Sequence, residues 1–233
     1  MKFLLKFASR SRPHLFQKRV DNWIDKSSGK HELYWLCSFD EDDASMTDPA
    51  MQAWCLERKL HCHYGRSKGK VEAINADMRW APRDADIYVI VSDDMAVLEQ
   101  NWDCIVADEM VAAFPDLNGS LWFLDGRQDR TCTLSIMGRP VYEELGNLYD
   151  PRFISVYCDN FYHEIMHRTG RLKRIDTPVF AHVWGKENKD ALMRRNESPE
   201  LYCQDQKTFE RLMKELDVTY PRKPGVPLSN AAR

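Results

Sequence analysis

Chemistry is concentrated where an apolar run stops. Ile87–Val91 is continuously apolar and rich in β-branched residues, and it ends at Ser92-Asp93-Asp94. Such a run predicts a strand buried between two helix layers. Two carboxylates at the carboxyl end of that strand are the oxygen ligands that hard divalent cations such as Mg2+ or Mn2+ require, and an ion held there can bind the phosphates of a nucleotide. The same residues also suit a helix start, with Ser92 or Asp93 as cap and acids favoured by the helix dipole. Spacing alone does not separate the two.

A second constellation points elsewhere. His163-Glu164-Ile165-Met166-His167 matches H-E-x-x-H, which on a helix sets two imidazoles on one face with a glutamate as general base. The match runs on to Gly170 but meets Lys173 where the extended form needs a third histidine, and a protonated amine cannot bind zinc. Glu187 is the remaining candidate for that ligand. So short a motif arises readily by chance, so an ordinary helix face is expected, with a zinc metallopeptidase as the alternative. His61-Cys62-His63 reads as part of a strand. The seven cysteines form no C-x-x-C pair, which speaks for reduced, mostly buried thiols and against a disulfide framework or zinc ribbon.

The net charge of −3 conceals segregation. Residues 1–20 carry six Lys or Arg and no acid, Arg58–Lys70 five, and Arg168–Arg174 four, against the acidic run Asp40-Glu41-Asp42-Asp43. Each cluster alone can be a solvated face; three in one small chain point to a polyanionic ligand, either a diphosphate or a nucleic acid. The 233 residues, 43% of them hydrophobic, fit one globular domain. No stretch approaches the roughly 18 apolar residues of a membrane span. Met1–Phe7 is too short for a signal-peptide core, so a cytoplasmic protein (host cytoplasm if viral) with no membrane partner is expected.

The elements that must position these residues alternate. Strands are expected at Phe3–Ala8, Glu32–Phe39, Leu60–Tyr64, Ile87–Val91 and Leu121–Leu124. Helices are expected at Pro13–Asp25, Pro49–Leu60, Lys70–Arg79 and Asn101–Ala113. Ser135–Leu145 begins extended and turns helical at Pro140. Phe153–Tyr157 reads as extended, Asn160–Thr169 as helix, Arg174–Phe180 as extended and Gln204–Leu216 as a late helix. This order predicts a single α/β domain over residues 1–220, with a Rossmann-like, doubly wound, mostly parallel sheet. A Pro- and Gly-containing tail, expected to be flexible, follows over 221–233. Ligands of such sheets sit at the strands' carboxyl ends.

Over roughly Lys2–Arg211 the chain resembles the GT-A fold glycosyltransferases, in a family 2-like form. Ser92-Asp93-Asp94 stands where that family has its D-x-D region. Ala8-Ser9-Arg10-Ser11-Arg12-Pro13 is similar to the first nucleotide-contacting loop, and Ser38-Phe39-Asp40 to the strand end whose carboxylate meets the base. Gly65–Lys70, leading to Asn75, resembles the next nucleotide-contacting loop. Cys158-Asp159-Asn160 resembles the acceptor-side motif that supplies a general base, and His182-Val183-Trp184 the late histidine that completes the metal site.

The resemblance implies a nucleotide-sugar donor, most simply a uridine diphosphate sugar, bound by Ser9, Arg10, Arg12, Asp40, Lys68, Lys70 and Asp93. It implies a divalent cation, Mn2+ or Mg2+, on Asp94 and His182, with Asp159 as the base of an inverting transfer. Trp122, Asp125 and Trp184 are candidates to line the sugar or acceptor cleft, with a core role for either Trp as the alternative. Ser92 replaces the first aspartate of the family motif, so the ribose contact passes to Asp93. The chain also resembles small bacteriophage-encoded glycosyltransferases, some of which act on modified bases, so DNA is the leading polymeric acceptor. A nucleotide-binding protein without catalysis is the third reading.

Overall fold

A computed structural model describes residues 1–183 and 190–227. Strands β1 (Lys2–Ser9), β2 (Glu32–Asp40), β3 (His61–Gly65) and β4 (Ile87–Val91) alternate with helices α1 (Pro13–Asp25), α2 (Pro49–Glu57) and α3 (Lys70–Asn75). After a short strand β5 (Met95–Val97) and α4 (Trp102–Ala113) come β6 (Ser120–Phe123), β7 (Ile136–Gly138) and α5 (Arg139–Leu145). The remainder is α6 (Cys158–Arg168), β8 (Leu172–Ile175), β9 (Phe180–His182), α7 (Ala191–Asn196) and α8 (Pro199–Thr219). The main sheet has seven strands in the order β3-β2-β1-β4-β7-β6-β8, and β5 pairs with β9 in a separate ribbon.

Pairing is parallel throughout the large sheet except around β7, which runs antiparallel to both β4 and β6. The carboxyl ends of β1, β2, β4 and β6 therefore meet along one edge. The alternation of β1 shows why both faces are covered. Phe3, Leu5 and Phe7 enter one core with Phe16, Val20 and Trp23 of α1 and Trp102 of α4. Leu4 enters the other with Val71, Phe161, Phe209 and Leu212 from α3, α6 and α8. A strand buried on both faces loses the polar–apolar alternation of an exposed sheet and reads as a continuous apolar run.

Four expected elements differ. The helix from Lys70 stops at Asn75, because Ala76 is extended and Asp77 is left-handed at φ 63°; a single 3-10 turn, Met78–Trp80, replaces its second half. Phe153–Tyr157 joins no strand and is held as a loop by side-chain hydrogen bonds. The segment Arg174–Phe180 is divided between two sheets, Ile175 closing β8 and Phe180 opening β9. The late helix is longer than expected, running from Pro199, with Ser198 capping it, to Thr219. Residues 221–227 lie against α6, where the Lys223 amide donates to the Arg168 carbonyl (2.8 Å).

Candidate active site

The carboxyl-edge loops enclose a cavity of about 230 Å3. Nine of the residues singled out from the sequence line it: Ser9, Arg10, Arg12, Asp40, Lys70, Asp93, Asp94, Asp159 and His182. Lys68, Trp122 and Asp125 do not, and Trp184 lies outside the described residues.

Beyond Ser92 the chain turns and pairs as β5 with β9, in a register that sets Met95 opposite His182. Asp94 Oδ2 then lies 3.0 Å from His182 Nε2, while Asp125 Oδ2 lies 3.3 Å from His182 Nδ1. Asp94 Oδ1 accepts from the Ser92 hydroxyl. Burial works against charge on His182, but its hydrogen bonds to Asp125 and Asp94 outweigh that penalty and raise its pKa to about 9. Burial likewise opposes ionisation of both carboxyls, and His182 more than compensates, so both lie well below the usual range. Asp125, 3% exposed, sits behind the imidazole; it also accepts from Thr133 Oγ1 (2.6 Å) and from the amides of Arg127 and Gln128. That is the position of a group that orients a ligand histidine. An oxygen and an imidazole nitrogen 3.0 Å apart form a donor set that fits Mn2+ or a similar divalent ion.

The adjacent carboxylate faces the other way. Asp93 Oδ1 accepts from Arg12 Nη1 (2.9 Å), and Arg12 forks onto Asp190 through Nε (2.6 Å) and Nη2 (2.8 Å). Asp190 also caps α7 through the Met193 amide, so the Arg12 guanidinium ties β1, β4 and the segment over the cavity together. Arg10 Nη1 bridges Asp40 (2.6 Å) and Asp42 (2.5 Å), and the other Asp40 oxygen takes the Ser67 amide (3.1 Å). At the first position of α3, Lys70 is partly desolvated; the anionic groups around it, Asp159, Asp94 and Glu197 among them, prevail and raise its pKa.

Asp159 is the second residue of α6, after a left-handed Tyr157 (φ 61°), and lines the wall near Lys70. It is not the helix cap, and its one hydrogen bond among those described is to its neighbour's amide, Asn160 N (2.9 Å). Three contributors escaped sequence reasoning. Ser38 lines the cavity, accepting from the wholly buried Lys6 and donating to Asp77 Oδ2 (2.6 Å); burial pushes the Lys6 amine down to about 8. Asp190 is the second contributor, and Ser155 the third, its buried hydroxyl having no partner among the described residues. A lysine in an otherwise apolar strand was the available signal for the first; nothing local marks the other two.

Trp122 is a core ring, edge-on to His163 at 4.8 Å and under Arg174 at 5.1 Å. The H-E-x-x-H face is likewise internal. His163, 2% exposed, accepts the Cys132 amide on Nδ1 (3.1 Å), and Glu164 holds Arg168 at 2.7 Å. Among the described residues His163, Glu164 and His167 form no group of ligand atoms close enough for one ion. Among the described residues, three such side chains gather within reach of one ion at His31, Asp103 and Cys104, at the opposite sheet edge, where Ser28 already donates twice to Asp103. No helix among the described residues is long and apolar enough to cross a membrane.

No family model and no curated protein matches the chain. Solved structures do. The mannosyltransferase PcManGT from Pyrobaculum calidifontis, in complex with GDP-Man and Mn2+, is 16% identical with TM-score 0.63, covering 79% of this chain and 57% of its own. TarS from S. aureus, in complex with UDP, is 12% identical with TM-score 0.56, covering 94% and 72%. A Drosophila β-1,4-galactosyltransferase 7 variant, with manganese, UDP-Gal and xylobiose, is 12% identical with TM-score 0.54, covering 81% and 73%. The chain thus spans little more than half of the mannosyltransferase's length. At such identities the likeness is one of architecture: this is an α/β chain with the GT-A glycosyltransferase fold.

Proposed function

We propose that the chain is a metal-dependent glycosyltransferase that moves a sugar from a nucleotide-sugar donor to an acceptor hydroxyl, with inversion at the anomeric carbon. The observation that carries this reading is the Asp94–His182 pair, 3.0 Å apart at the end of β4, in one cavity with Arg10, Arg12, Lys70 and Asp159. Asp94 and His182 would hold the cation, with Asp125 fixing the imidazole; when bound, the ion supplies Lewis-acid stabilisation of the departing diphosphate. Arg12 and Lys70 add fixed positive charge where negative charge develops as the sugar–phosphate bond breaks. Asp159 accepts the proton of the acceptor hydroxyl as its oxygen attacks the anomeric carbon, from the side opposite the leaving group. Asp40, tied to Arg10 and the Ser67 amide, serves the nucleoside end of the donor.

A uridine diphosphate sugar remains our proposed donor, although the structural relatives carry GDP-Man as well as UDP compounds. The phage-type reading with DNA as acceptor draws less support. One of the basic clusters that points to nucleic acid, 168–174, is paired internally: Arg168 bonds Glu164 and Asp217, Arg171 forks onto Glu144 (2.5 and 2.9 Å) and Arg174 bonds Asp176 (2.9 Å). Paired arginines are poor phosphate ligands, so a glycan or small-molecule hydroxyl is the better proposal.

The test is a thermal-shift screen of UDP- and GDP-sugars with and without Mn2+. A ligand specific to the folded state adds about 2.7 kcal/mol at a hundredfold excess over its Kd. A shift that needs both nucleotide and metal is expected. A shift without turnover on any acceptor would favour the non-catalytic reading, and no shift at all would overturn the proposal.

A further inference from the structure

Asp205 lies in the second turn of α8 with no exposed surface, on a helix anchored by Phe209, Leu212 and Leu216. Its carboxylate accepts three consecutive backbone amides, Ile154 (2.9 Å), Ser155 (2.7 Å) and Val156 (2.9 Å). A buried carboxylate is costly unless hydrogen-bonded, and successive amides converging on an anion satisfy it well. This is why 153–157 is a loop rather than the extended segment its side chains suggest.

The loop touches both sides of the cavity. The Ile154 carbonyl accepts from Val71 N (3.0 Å), at the start of α3 beside Lys70. The contact is close enough that a Cβ on Gly69 would lie 2.7 Å from that carbonyl. At its other end the loop passes through left-handed Tyr157 into α6, whose second residue is Asp159. Between the two, Ser155 and Val156 form cavity wall.

We propose that Asp205 is a positioning residue: by fixing the 154–156 amides it sets Lys70 and Asp159 relative to each other across the cavity. The idea rests on the proposed transferase reading for what those two residues do, but not for the coupling itself. Asp94, Arg12 and His182 lie on the β4–β5 turn, the β1–α1 turn and β9, outside this linkage, so metal and nucleotide binding should survive its loss.

The experiment compares Asp205→Asn, which turns one acceptor into a donor facing backbone N–H groups, with Leu212→Ala, a core truncation on the same helix. Mn2+-dependent UDP binding is expected to be retained in both. Below each variant's Tm and at saturating donor, kcat should fall about a hundredfold in Asp205→Asn, the order expected for a misplacement of 1 Å, and stay near wild type in Leu212→Ala. Hydrogen exchange should quicken together at 154–156, 69–71 and 158–160 in Asp205→Asn alone. Unchanged kcat in Asp205→Asn, or an equal fall in Leu212→Ala, overturns the proposal. If the wild type shows no transfer, the functional reading fails and exchange decides the coupling: faster exchange confined to 154–156 overturns it. Should Asp205→Asn not fold, Gly69→Ala drives a Cβ into the same contact from the other side and is expected to quicken exchange at 154–156 and 158–160 together; unchanged exchange at 158–160 overturns the proposal.

Discussion

Asp93 and Asp94 are neighbours with opposite duties, because consecutive side chains leaving a strand point to different sides. Both line the cavity, Asp93 turning to Arg12 and Asp94 to His182. Asp94→Asn keeps shape and polarity but removes the charge a cation needs. It should abolish the Mn2+-dependent thermal shift with nucleotide and, because it breaks the ion pair with His182, also lower the Tm of the free protein. Asp159→Asn separates base from binding. It should lower kcat by about 10²–10⁴ while donor affinity, measured by calorimetry, stays near wild type, since a base acts in the transition state. Near-normal turnover would reduce Asp159 to an acid in the first turn of a helix.

Among the elements, β7 matters most for the shape of the site. Its antiparallel insertion brings Thr133 and Ser135 to the carboxyl edge, where Thr133 holds Asp125 and Asp125 holds His182. The strand leaves through Gly138, where an added Cβ would lie 1.8 Å from the Leu117 carbonyl. A backbone oxygen in a tight turn cannot retreat as a flexible side chain can. Gly138→Ala should therefore destabilise the fold by about 3 kcal/mol or more, the upper end for overpacking, read as a lowered urea midpoint at unchanged slope. A midpoint near wild type would show that the 117–119 turn yields easily.

For the whole molecule, the buried H-E-x-x-H face makes a stability prediction rather than a catalytic one. Burial, with His167 adding to it, lowers the His163 pKa from 6.5 to about 4. Between those values the unfolded chain binds a proton that the folded chain does not. Stability therefore falls as pH drops from 6.5 toward 4, by at most about 1.4 kcal/mol per pH unit from this group. His163→Gln, whose amide oxygen can still accept the Cys132 N–H, should flatten the decline of Tm between pH 7 and 5 and leave the proposed transferase activity in place. Zinc bound stoichiometrically by the wild type and lost in this variant, together with peptide cleavage, would instead revive the peptidase reading.

Much of the fold was legible because burial writes a periodic signal. The run Ile87–Val91, the two-faced β1 and the apolar stripe of α1 each follow from local pattern, and the strand end at Asp93 and Asp94 follows with them. The site's assembly was legible only in part. The Asp94–His182 pair joins residues 88 apart, Arg12–Asp190 residues 178 apart, and Asp205 holds a loop about 50 residues upstream. Directional contacts between distant residues leave no period behind. A carboxylate that caps a turn, orients a histidine or gathers a loop's amides looks the same in sequence. Local pattern thus set most of the strands and helices and the chemical groups that crowd one sheet edge. The β5–β9 register and the reversed strand β7 decided which carboxylate meets His182 from the cavity and which lies behind the imidazole, because those contacts depend on packing between distant segments.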